Sequence, residues 1–182
     1  MRQFRVIGAV LTIAAGIGCS HELDGPTPGP TELQPALVCN QQLTTEVVVT
    51  GDGMSPLPIQ VLGDPAIRLP ALDLARTADL HGAPSGGGSP ISVPDDTTPS
   101  RVRWTSQQRM VFDVYPELGL EDGVYSLTIT NGNGNASTLA PALTAVPPPT
   151  VTSVDPDLIC VAQTETTITL TGEGFLDVAG TL

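Results

Sequence analysis

The sequence predicts an all-β fold, a sandwich of two sheets, on three observations. Gly (19) and Pro (18) make up about a fifth of the 182 residues, and because both break helix interiors a helical bundle or coiled coil is excluded. Short stretches of alternating apolar and polar residues recur, with Gly, Pro, Asn and Asp between them. The chain also repeats itself at an offset of 121 residues: Pro35, Leu37, Cys39, Thr45, Thr50, Gly51 and Gly53 recur as Pro156, Leu158, Cys160, Thr166, Thr171, Gly172 and Gly174. One complete β unit and the start of a second follow from that spacing.

Residues 1–18 read as a secretory signal peptide. Arg2 and Arg5 give a positive start, and Val6 to Gly18 is a run of thirteen residues without charge. A permanent membrane helix needs roughly 20 apolar residues. The run ends in Gly16-Ile17-Gly18-Cys19, which resembles the lipobox of bacterial lipoproteins, departing from it at Gly16, where a larger aliphatic residue is usual. The resemblance implies that Cys19 carries a lipid and begins the mature chain. Ser20 is not acidic, and the sorting rule of that family then implies the outer membrane of the cell envelope, with the membrane itself as the partner. An ordinary signal peptide cleaved nearby, with Cys19 incidental, is the alternative. Residues 19–34 are polar and rich in Pro and Gly, which reads as a flexible tether.

Residues 35–146 read as the sandwich. Glu46-Val47-Val48-Val49-Thr50 alternates and is β-branched, and Gly51-Asp52-Gly53 stops it with residues able to take positive φ. Further strands are expected at Pro58–Leu62, Arg101–Thr105, Arg109–Val114, Gly123–Thr130 and roughly Ser137–Ala145, with a hairpin turn at Asn131-Gly132-Asn133-Gly134-Asn135. Val47, Val49, Ile59, Val61, Val111, Leu127 and Ile129 are expected between the sheets, with Tyr125 and Trp104 beside them. The Thr-Gly-acid-Gly ending of the early strand and the segment Gly123 to Asn131 resemble IPT/TIG domains, immunoglobulin-like sandwiches of bacterial surface proteins. Glu121-Asp122-Gly123-Val124-Tyr125 has the form of a tyrosine corner. Relative to that family the unit is long, which places a loop-rich insertion at about 64–100, with a helical turn or two between Leu72 and Leu80. Pro147-Pro148-Pro149 reads as a linker. Residues 150–182 read as a truncated second IPT/TIG-like repeat, with Val151, Ile168, Leu170 and Phe175 half exposed.

Chemistry has few candidates. His21 and His81 are the only histidines, neither sits in a rigid context, and Ser85 or Ser89 beside His81 lacks a positioned acid. The acid pairs Asp95-Asp96, Glu121-Asp122 and Asp155/Asp157 lack the ligand spacing of a calcium loop, and no nucleotide-binding glycine loop occurs. No catalytic, cofactor or metal site is expected. Cys39 and Cys160 are expected as buried small hydrophobes, or Cys160 as one that lacks its partner. With 7 Arg, no Lys, 19 Asp plus Glu and a formal charge of −12, nucleic acid is excluded as a partner. A glycan-binding module would want more aromatics than Trp104 and Tyr115. The resulting expectation is a non-enzymatic, lipid-anchored cell-envelope protein serving as an Ig-like spacer or interaction module, with a protein or glycan partner left open. Its alternative is the N-terminal part of a larger secreted or surface enzyme or adhesin.

Overall fold

Val47 and Val49 set the inside of the fold. They sit on β3 (Thr45–Asp52) with no exposed surface, while Glu46 and Thr50 on the opposite side face solvent. Such period-two alternation buries one face of a strand and solvates the other. The computed structural model describes residues 24–175 except 42, 62–63, 87, 97–98 and 163–164. In it β3 pairs antiparallel with β1 (Gly29–Gln34) on one side and β9 (Arg109–Val114) on the other. Strand β8 (Val102–Ser106) adds to the far edge of β9, completing a four-stranded sheet.

The second sheet is built around β10 (Gly123–Thr130), where Tyr125, Leu127 and Ile129 all point inward and are buried. Its neighbours are β11 (Ala136–Val146) and β6 (Ala71–Ala78); β2 (Leu37–Cys39) lies parallel to β11, and β7 (Ile91–Val93) flanks β6. The two inner faces share one core, to which Leu33, Val47, Val49, Met110 and Phe112 contribute from the first sheet and Leu72, Leu74, Tyr125, Leu127 and Leu143 from the second. The strand orders correspond to A-B-E-D and C′-C-F-G, with the first strand split between sheets. This is an all-β sandwich of immunoglobulin type. The unit also contains a separate hairpin, β4 (Leu57–Val61) with β5 (Asp64–Arg68), and a 3-10 turn, Pro116–Leu118. Beyond it β12 (Thr150–Asp155) pairs antiparallel with β13 (Thr169–Glu173), and all six residues of β12 are exposed.

Several expectations are corrected. The stretch 19–34 is not a tether throughout: Gly29–Gln34 is β1, and Leu33 is 3% exposed in the core. At a sheet edge one inward leucine suffices, so the polar composition masked the strand. Residues 64–100 are loop-rich but also carry β5, β6 and β7, and Leu72–Leu80 is not helical. Leu72 and Leu74, two residues apart, both face the core from β6, a central strand. Val111 is buried outside the core cluster, opposite Val48 and Arg103 on the outer face, because Met110 and Phe112 take the inward positions. Trp104 is 38% exposed and donates its indole N–H to the Met54 carbonyl at 2.8 Å. Cys160 is exposed and Cys39 half-buried, so neither is a buried hydrophobe. Ile59 and Val61 belong to β4, outside both main sheets; their side chains lie outside the described residues.

Candidate functional site

Cys19 and His21 lie outside the described residues. What the structure does show is how the chain arriving from Cys19 is fastened. Asn131 closes β10 and is 3% exposed. Its side-chain N–H groups donate to the Pro26 carbonyl at 2.9 Å and the Gly53 carbonyl at 2.8 Å, and its Oδ1 accepts the Ser55 N–H at 3.1 Å. Asn135 donates to the Gly25 carbonyl at 3.0 Å. Gly53, at φ +66°, sits so close to the incoming chain that a Cβ there would stand 2.4 Å from the Thr27 oxygen. Three segments thus meet on one buried amide: the incoming chain, the turn after β3, and the β10–β11 hairpin. The turn itself is held by the Asn131 N–H to the Asn135 carbonyl at 2.9 Å, with Gly134 at φ +91°.

A second polar cluster lies on the outer face of the four-stranded sheet. Arg103 holds Asp113 with both ends of its guanidinium, at 2.6 and 3.2 Å, and reaches Glu46 at 3.0 Å. Arg101 approaches Asp113 at 3.5 Å while its guanidinium lies 4.3 Å above the Tyr115 ring. Hydrogen bonds from Arg103 hold the Asp113 carboxyl below the usual carboxylate range, and raise the Arg103 guanidinium in turn. Both charges are consumed in tying β8, β9 and β3 together.

The third feature is a cleft of about 330 Å³ over Leu74 and Ile91. Arg76 pairs with Glu121 at 3.0 Å, and the Tyr125 hydroxyl donates to the Glu121 carbonyl at 2.9 Å, closing the tyrosine corner. Ser85 lines the cleft. His81 does not form a dyad with it: His81 is exposed and uses its backbone N–H, together with that of Ala83, to bond Asp79 at 2.8 Å. Those bonds, the one from Ala83 above all, lower the Asp79 carboxyl. Among the described residues no three His, Cys, Asp or Glu side chains group to hold a metal, and no helix is long and apolar enough to cross a membrane.

The fold and these clusters define an immunoglobulin-type sandwich with a clamped N-terminal segment. No family model, curated protein or solved structure matches the chain, and its class therefore stands on its own residues. The tyrosine corner was legible as acid-x-Gly-x-Tyr. The Asn131 clamp was not, because Asn-Gly-Asn-Gly-Asn signals a turn whichever way the first side chain points.

Proposed function

We propose that the chain is a non-enzymatic, lipid-anchored protein of the bacterial cell envelope, placed at the outer membrane, whose IPT/TIG-like sandwich serves as a spacer or interaction module. The observation that carries this reading is Gly16-Ile17-Gly18-Cys19 at the end of a thirteen-residue apolar run behind two arginines. The clamp supports it. Docking starts at Gly25, six residues after Cys19, and a chain of that length spans at most about 20 Å. A lipid on Cys19 would hold the clamped end of the sandwich beside the bilayer. The charged side chains with the most defined geometry, Arg76, Arg103 and Asp113, join strands or loops to one another, which suits a structural module rather than a reaction centre. Metabolic labelling with a palmitate analogue tests the reading: the wild type should be marked and Cys19→Ser should not. Equal labelling of both overturns it.

A second reading, the N-terminal part of a larger surface enzyme or adhesin, is favoured by the half-exposed apolar residues of β12 and β13. Reading the coding frame past Leu182 separates the two.

A further inference from the structure

The internal repeat extends further than the sequence alone reveals, because strand pairing carries it. In the first unit Gly29 pairs with Asp52, Pro30 with Gly51, Glu32 with Thr50, Leu33 with Val49 and Gln34 with Val48. In the second Thr150 pairs with Glu173, Val151 with Gly172, Ser153 with Thr171, Val154 with Leu170 and Asp155 with Thr169. Each pair is displaced by the same 121 residues, and so is the bulge, which falls after Pro30 in one and after Val151 in the other. The bulged residue is threonine both times and makes the same bond: Thr31 Oγ1 donates to the Thr50 carbonyl at 3.1 Å, Thr152 Oγ1 to the Thr171 carbonyl at 3.0 Å. Gly53 and Gly174 share a positive φ, +66° and +76°, each against the segment that precedes the first strand. That segment contains Pro26 and Pro28 in one unit and Pro147 and Pro149 in the other. Bulges fix register; a shared bulge with a shared hydrogen bond makes β12–β13 the counterpart of β1–β3.

The counterparts differ in one respect. Leu33, Val47 and Val49 are 3%, 0% and 0% exposed, whereas Val154, Ile168 and Leu170 are 44%, 48% and 54% exposed. In the first unit the cover over this face is the sheet containing β6, β10 and β11, and the outer edge of β3 is taken by β9. All four strands follow β3 in the chain. We propose that the Val154–Ile168–Leu170 face is the docking surface for the other half of a second sandwich: a sheet of the β6-β10-β11 kind with a β9-like strand along β13, supplied in cis by polypeptide that follows β13. Charge argues against a second copy of the hairpin as occupant. Residues 147–175 contain Asp155, Asp157, Glu165 and Glu173 and no Arg, Lys or His, so two such faces would meet with like charges on both sides. The tri-proline is then no plain linker but the counterpart of the Pro26–Pro28 segment that docks on the first sandwich.

The proposal does not depend on the lipid anchor, and failure of Cys19 labelling leaves it intact. The test joins a second copy of residues 55–146 directly after Phe175, so that the first unit's own covering strands follow the second hairpin in the native frame. Amide exchange is then read by mass spectrometry in this extended chain and in the 182-residue chain. Peptides containing Val154, Ile168 and Leu170 should exchange about a hundredfold more slowly in the extended chain, Leu170→Asp should return them to fast exchange, and β3 should stay protected throughout. Fast exchange of the hairpin in the extended chain, with β3 protected, overturns the proposal. So does slow exchange in the 182-residue chain: independent of concentration it means docking on the first sandwich, and dependent on concentration it means a second copy.

Discussion

Asn131 spends every polar atom of its side chain on backbone groups from two distant segments, and truncating it strands those groups in a part-buried site. Asn131→Ala should cost about 2–3 kcal/mol in urea unfolding. A loss under about 0.5 kcal/mol, ordinary for surface sites, would mean that water replaces the amide without penalty. Asp113 adds a pH signature. Its folded carboxyl titrates below its unfolded value of about 3.9, with Arg103 as the main cause. The stabilisation is therefore complete above that value and is lost as pH falls through the lower folded pKa. Asp113→Asn should cost about 1.5–3 kcal/mol at neutral pH, and the difference from wild type should vanish at the acid end of a titration followed by the fluorescence of Trp104. A difference that persists there would show that packing, not the ion pair, is responsible. Unlike Tyr125, whose corner is written in the sequence, neither Asn131 nor Asp113 announced its partners there. Asp113 lies in an alternating strand where Met110 and Phe112 mark the inside, and nothing in sequence order brings Arg101 and Arg103 to it.

Strand by strand, legibility followed the number of inward apolar residues. β9 and β10 coincide with the expected Arg109–Val114 and Gly123–Thr130, since each has three inward apolar positions, although the apolar Val111 between Met110 and Phe112 concealed which face of β9 is inward. β1 offers the core one leucine and a proline amid polar neighbours, too little for alternation to register. β6 has the alternation in Leu72-Asp73-Leu74, but its Ala-Leu-Asp-Leu-Ala-Arg composition is also that of a helix turn, and pairing with β10 decides between them. At this scale Leu127→Ala should lower stability by about 2–5 kcal/mol, because Leu127 is fully buried and leaves a cavity between the sheets. Gly53→Ala should also destabilise, by roughly 1 kcal/mol or more from its positive φ alone, and the close Thr27 oxygen adds to that. Thermal unfolding checks both. A neutral Gly53→Ala would mean that Gly53 does not hold its positive φ against the N-terminal segment. Limited proteolysis should leave a resistant core that begins near Gly25, not near Pro35, and ends near Val146, with cuts beyond Pro149 where the apolar residues are half exposed.

For the molecule as a whole, the proposed reading has three parts: a leader of residues 1–18, a short link that begins at Cys19, and a sandwich clamped where that link arrives. Under the proposed lipid anchor, a pull on the chain from the membrane would be met first by the bonds from Asn131 and Asn135 to Pro26 and Gly25. The full chain's charge of −12 would set such a module against an anionic bilayer surface, so the proposed attachment relies on the lipid and not on the protein face. The repeat at 121 residues was plain in the sequence over 35–54, but its true frame, starting at Pro26, needed strand register. The most direct test of the central claim is the intact mass of the mature protein purified from the membrane fraction of a lipoprotein-processing bacterial host. The mature chain should begin at Cys19 and carry the added mass of acyl groups on that residue. A mature chain that starts elsewhere, or one that starts at Cys19 with an unmodified thiol, would contradict it.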